Sequence, residues 1–166
     1  RTVFNLLGPL TNPADADVQL IGVYAPELTE PLANVLKDLG SSAAMVVYGA
    51  GDTDELNQAG SNRISHLRDG EVTTYDFDAQ EVGMQRSTIK ELRGGTPDES
   101  AQKMRDLLGN KYGDACLDAV LLNAAGLLSA ENGDFKSALK EAKDSLFGGK
   151  ALEKMNALIE FSQSFA

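Results

Sequence analysis

Two unbroken apolar runs, held apart by a single amphipathic stretch, constrain this chain more than any other feature. The first is Val-Gln-Leu-Ile-Gly-Val-Tyr-Ala at 18–25 and the second Ala-Ala-Met-Val-Val-Tyr at 43–48. Both are rich in strand formers and short enough to be strands rather than helices. Between them, residues 27–39 place Leu28, Leu32, Val35, Leu36 and Leu39 on one helical face, with Gly40 at the end. Strand, helix, strand demands a right-handed crossover and a parallel pair. Parallel strands covered on both faces read as continuous apolar runs, as these do.

Downstream, residues 63–68 and 71–77 flank Asp69-Gly70, the dipeptide of a tight hairpin. The remainder reads as helix. Thr96-Pro97-Asp98-Glu99 is a capping box with Pro in the first turn, opening a helix whose Ala101, Met104, Leu107 and Leu108 are expected inward. Asp114 caps residues 115–130, apolar nearly all round and therefore expected to be the central buried helix. Asp134 caps a third helix with Phe135, Ala138, Leu139, Ala142 and Leu146 on one face. A fourth, 150–161, is expected to turn Ala151, Leu152, Met155, Leu158 and Ile159 inward. The predicted fold class is α/β: a mostly parallel sheet with a β-hairpin and a helix-rich C-terminal half.

Composition removes several functional classes. Acids outnumber bases 25 to 15, giving a net charge of −10, and no run of Lys and Arg offers a basic patch for nucleic acid or anionic membrane. Residues 115–130, the longest apolar stretch, are broken by Asp118 and Asn123 and fall short of a membrane span. One Cys excludes an internal disulfide, and one His limits any Ser-His-Asp triad to His66. His66 reads as a surface hairpin residue, Cys116 as a small core residue, and Asn123 as a buried amide that must find partners. The expected setting is cytoplasmic.

In open sheets with parallel strands, ligands bind beyond the carboxyl ends of the strands. The loop leaving the second strand is Gly49-Ala50-Gly51-Asp52-Thr53-Asp54-Glu55, with three carboxylates within four residues. Charges packed so closely repel unless a cation joins them, and Mg²⁺ needs only one or two protein carboxylates when phosphate oxygens complete its shell. A solvated acidic loop that aids solubility is the other reading of the same residues. The chain begins at Arg1 without an initiator Met, as a piece of a longer protein would.

The string Arg1-Thr-Val-Phe-Asn-Leu-Leu-Gly-Pro-Leu-Thr-Asn-Pro13 resembles the middle segment of the anthranilate phosphoribosyltransferases, of the nucleoside phosphorylase/phosphoribosyltransferase superfamily. The resemblance continues in order through Gln19–Tyr24, Asp54-Glu55, Gly94-Gly95-Thr-Pro-Asp-Glu-Ser-Ala101, Leu121-Leu-Asn-Ala-Ala125 and Gly149-Lys-Ala-Leu-Glu-Lys154. It implies transfer of phosphoribosyl from phosphoribosyl pyrophosphate to anthranilate, with Mg²⁺ as cofactor. It also implies that Asp54 and Glu55 ligate Mg²⁺ and that Arg1 contacts anthranilate. Residues 1–13 correspond to a hinge or helical-domain segment and 14–166 to part of the catalytic domain.

Where the family often has Ser, this chain has Asn57. The family's Gly-rich phosphate loop, its Lys-His-Gly-Asn segment and the helical region through which it forms homodimers all lie upstream of the Arg1 position. The chain alone is therefore expected to be inactive. A pyrimidine nucleoside phosphorylase-like enzyme and a non-catalytic acidic interaction domain are the alternatives.

Overall fold

The computed structural model describes residues 8–13, 16–111 and 113–165. Arg1 and the helix expected over residues 1–7 lie outside them. Strand β1 (Val18–Gly22) leads through a 3-10 turn into α1 (Thr29–Asp38), and β2 (Ala43–Tyr48) follows. Pro31 falls in the first turn of α1, where its missing N–H costs no hydrogen bond. Gly40 adopts φ +90°, a left-handed turn that frees the chain to enter β2. β1 and β2 pair in parallel, with Leu20 opposite Met45, as the crossover requires.

The sheet has four strands in the order β1-β2-β3-β4, with β3 at Ser61–Arg68 and β4 at Glu71–Asp78. It is mixed, and this corrects the expectation of a mostly parallel sheet. Only β1–β2 is parallel; β2–β3 and β3–β4 are antiparallel. The reason is local. No helix lies between β2 and β3, so the chain cannot cross over and must return antiparallel. The β3–β4 turn is the hairpin expected at Asp69-Gly70, both residues having positive φ.

Alternate residues of β2 feed two separate cores. Met45 and Val47 face Leu121, Leu122, Phe135 and Leu139, while Ala44 and Val46 face Ile21, Leu32 and Leu36. Helix α1 covers the second face. The first is covered by α3 (Ala115–Leu128) and α4 (Phe135–Phe147), joined to the sheet by the stacked rings of Phe77 and Phe135. All five residues expected inward on α4 are buried. Thr96, Asp114 and Asp134 cap α2 (Pro97–Leu108), α3 and α4 as read from the sequence.

Other helix faces differ from expectation. On α2 only Leu107 is buried, and Met104 is exposed. Helix α3 rests on the sheet by one face and exposes Leu127 and Leu128, so it is not buried all round. Val35 on α1 and Leu39 at its C-terminal cap are exposed. The last helix, α5 (Lys150–Gln163), buries no residue fully, and Leu158 points to solvent. An apolar face can be read from periodicity, but not whether another element covers it.

His66 is also corrected: it is buried, not a surface hairpin residue. It stands opposite Met45, on the face that α3 and α4 cover, and its Nε2 donates to the Ala130 carbonyl at 2.6 Å. A carbonyl only accepts, so the proton sits on Nε2. Burial lowers the His66 pKa below the ordinary value, outweighing the opposite pull of that carbonyl. As pH falls through about 6.5 the unfolded chain takes up a proton that the native imidazole resists, so stability must fall with it. Urea midpoints measured from about pH 7.5 down to about pH 5.5 should decline, and His66→Gln should flatten the slope. An equal slope in both proteins would contradict this.

Candidate functional site

The carboxyl ends of β1 and β2 lie side by side, and residues 49–60 fold back across them. The turn starts with Gly51 at φ +70° and Asp52 at φ +62°, and closes with the Gly49 amide donating to the Thr53 carbonyl at 2.8 Å. Two glycines make this possible. A Cβ at Gly22, the last residue of β1, would overlap the Asp54 backbone carbonyl; one at Gly49 would overlap the Glu55 carbonyl. The acidic loop therefore packs backbone to backbone on the strand ends.

The three carboxylates are sorted by this turn. Asp52 accepts a hydrogen bond from the Tyr48 hydroxyl, which in turn holds the Tyr48 pKa above its usual value. Asp54 and Glu55 are exposed and adjacent. They line one rim of a cleft of about 690 Å³, whose other walls include Gly22, Leu92, Cys116 and Asn123. Among the described residues no group of three or more His, Cys, Asp and Glu side chains converges as a metal cage. The donor set suits a hard cation that brings water or phosphate oxygens of its own.

The loop backbone is held by side-chain amides. Asn123, on α3, accepts from the Leu56 N–H (2.9 Å) and donates to the Leu56 carbonyl (2.8 Å) and to Ala119 O (2.9 Å). These are the partners expected from the sequence, but Asn123 is half-buried on the cleft wall rather than buried. Asn62, at the start of β3 and fully buried, accepts from the Asn57 N–H and donates to the Asn57 carbonyl, both at 2.9 Å. Asn57 itself donates to Ala50 O (3.0 Å) and Thr53 Oγ1 (2.7 Å). Gln58 ties the loop to α3 through the Ala115 carbonyl at 2.7 Å.

Cys116, expected as a small core residue, packs against the edge of the core and is also open to polar contacts. It is half-buried at the first turn of α3, and Lys103 Nζ lies 2.8 Å from its sulfur and 3.2 Å from Asp114 Oδ2. These two contacts, the sulfur first, hold the Lys103 pKa above its usual value.

Sequence reasoning reached Asp54, Glu55 and Asn123, and missed Gly22 and Asn62. A signal existed for both: Gly inside a strand marks close backbone approach, and Asn is depleted from strands.

Residues 1–152 match the model of the glycosyl transferase family, a/b domain. The chain belongs to that family.

Curated members similar to it include the anthranilate phosphoribosyltransferase of Syntrophobacter fumaroxidans, 43% identical over 164 residues, covering 98% of this chain and 48% of that protein. The enzyme of the same name from Desulfotalea psychrophila is 45% identical, covering 97% and 47%. Among solved structures, anthranilate phosphoribosyltransferase from Thermus thermophilus superposes with a TM-score of 0.87 at 37% identity, covering 97% of this chain and 48% of that one. The Saccharomyces cerevisiae enzyme in complex with PRPP and Mg gives 0.86 at 26% identity, covering 99% and 48%. The chain spans about half the length of the curated relatives it matches.

For this glycosyl transferase a/b domain, Gly22→Ala tests the close packing under the acidic pair. The added methyl has backbone, not a flexible side chain, in its way. The expected cost is about 1–3 kcal/mol in urea unfolding, with faster amide exchange confined to residues 54–57. Unchanged stability and exchange would show that the loop does not rest on β1.

Proposed function

We propose that the complete protein carrying this chain transfers the phosphoribosyl group of phosphoribosyl pyrophosphate to the amino group of anthranilate. The anthranilate nitrogen bonds to the ribose anomeric carbon as the carbon–oxygen bond to pyrophosphate breaks; the nitrogen loses a proton and pyrophosphate leaves. One observation carries the reading. An exposed pair of carboxylates stands at the carboxyl end of a parallel strand pair, on a fold with a TM-score of 0.86 to a relative described in complex with PRPP and Mg.

Asp54 and Glu55 would hold Mg²⁺, whose chemistry here is to offset charge developing on the departing pyrophosphate. The protein's own part is placement. Among the described residues no salt bridge engages Asp54 or Glu55, while Asp52 is engaged by Tyr48. Arg1 would contact the anthranilate carboxylate, for which a planar guanidinium is suited. Residues 1–13 are assigned to a hinge and 14–166 to part of the catalytic domain. The complete protein is assigned to the cytoplasm as a homodimer joined through a helical region beyond these residues. This chain alone is assigned no turnover, because the phosphate loop of the family lies outside it.

The test is the Asp54→Asn/Glu55→Gln double variant of the complete protein. Its rate should fall on the order of 10²-fold or more, by analogy with loss of one preorganised electrostatic contact, and its Mg²⁺ requirement should rise. Anthranilate affinity should hold. Thymidine and phosphate in place of the two substrates should give no product. Superimposable rate curves against Mg²⁺ for variant and parent would return the pair to a solvated loop.

A further inference from the structure

Consecutive residues of the acidic loop have their backbone groups gripped from opposite sides. Leu56 offers both its N–H and its carbonyl to the Asn123 amide, at 2.9 and 2.8 Å. Asn57 offers both of its own to the Asn62 amide, each at 2.9 Å. Successive residues of an extended segment point their polar groups to opposite sides. So the 56–57 peptide threads between α3 and β3 as a strand lies between two neighbours, with carboxamides in place of strands.

The anchors behind the two amides are firm. Asn62 reaches on to the Phe77 carbonyl of β4 (3.2 Å), the Gly60 carbonyl (3.2 Å) and the Ala50 N–H (3.4 Å), with no exposed surface. Asn123 is tied to its own helix at Ala119 O (2.9 Å). Upstream, Gly22 lets the Asp54 carbonyl rest on β1. Asp54 and Glu55 are thus the two residues between a glycine seat and an amide clamp. Their backbone has little freedom, although their side chains are exposed.

We propose that Asn62 and Asn123 are positioning residues for the carboxylate pair, setting its spacing and direction toward the bound cation. This rests on the proposed role of Asp54 and Glu55. Only a carboxamide suits both positions. It supplies an acceptor and a donor at a separation that matches one residue's N–H and C=O, whereas Asp lacks the donor and Ala lacks both. Groups one step removed from a metal commonly change its affinity or the activity by about 10–100-fold when lost.

The experiment uses the complete protein and Mn²⁺ as the probe, with pyrophosphate present and bound metal read by electron paramagnetic resonance. Asn123→Ala and Asn62→Ala should each weaken Mn²⁺ binding about 10-fold or more and raise the Mg²⁺ concentration for half-maximal rate in parallel, with the KM for anthranilate unchanged. Leu139→Ala, a core truncation on α4, is a control for lost stability and should leave Mn²⁺ binding alone. If Asn62→Ala does not fold, Asn123→Ala carries the test. Normal Mn²⁺ binding in folded asparagine variants, or an equal loss in Leu139→Ala, would overturn the proposal. If the carboxylate double variant also binds Mn²⁺ normally, the metal assignment itself fails; if that variant loses Mn²⁺ and the asparagine variants do not, only the positioning role fails.

Discussion

A chain that leaves a strand end, turns through two left-handed residues and returns antiparallel without a helix must find partners for its backbone polar groups. Buried N–H and C=O groups left unpaired cost about 1–3 kcal/mol each. In this protein residues 49–58 meet that requirement with side-chain amides from the loop, from β3 and from α3. The glycines at the ends of β1 and β2 let the loop lie close enough for those amides to reach. The acidic pair is placed by this satisfaction of backbone groups, and the rest of the fold serves to hold the amides where they are.

The two cores do that holding. β2 is buried on both faces, with α1 on one side and α3 and α4 on the other. Helix α3 approaches the sheet so closely that a Cβ at Gly126 would meet Leu20 at 2.7 Å and Leu56 at 2.9 Å. That contact fixes Asn123, on the preceding turn of the same helix, against the loop. The bond from His66 to Ala130 fixes the far end of the helix to β3, the strand that carries Asn62. Both amides are therefore referred to one rigid sheet–helix unit.

Much of this was legible because it is written locally. Continuous apolar runs marked β1 and β2, spacing marked α1 and α4, Asp-Gly marked the hairpin, and Thr96, Asp114 and Asp134 marked the helix starts. The cluster at Asp52, Asp54 and Glu55 was visible as like charge at a strand end. Long-range features were not. The sense of β3 depends on the missing crossover, the burial of His66 on the segment after α3 that packs over its strand, and the exposure of Met104, Leu127, Leu128 and Leu158 on what packs outside their helices. Asn62 left only a weak mark, an Asn at the start of a strand, and nothing local says which backbone groups it holds.

The central claim is that a rigid loop presents Asp54 and Glu55 to a cation held with pyrophosphate. The most direct measurement is an anomalous-scattering crystal structure of the complete protein with Mn²⁺ and phosphoribosyl pyrophosphate. The predicted result is a manganese site with an oxygen of Asp54 or Glu55 about 2.0–2.2 Å away, the usual range for a small hard divalent cation. The Leu56–Asn123 and Asn57–Asn62 hydrogen bonds should remain as they are without ligand. Manganese bound with neither carboxylate in reach, or a loop that must break those bonds to reach it, would contradict the account.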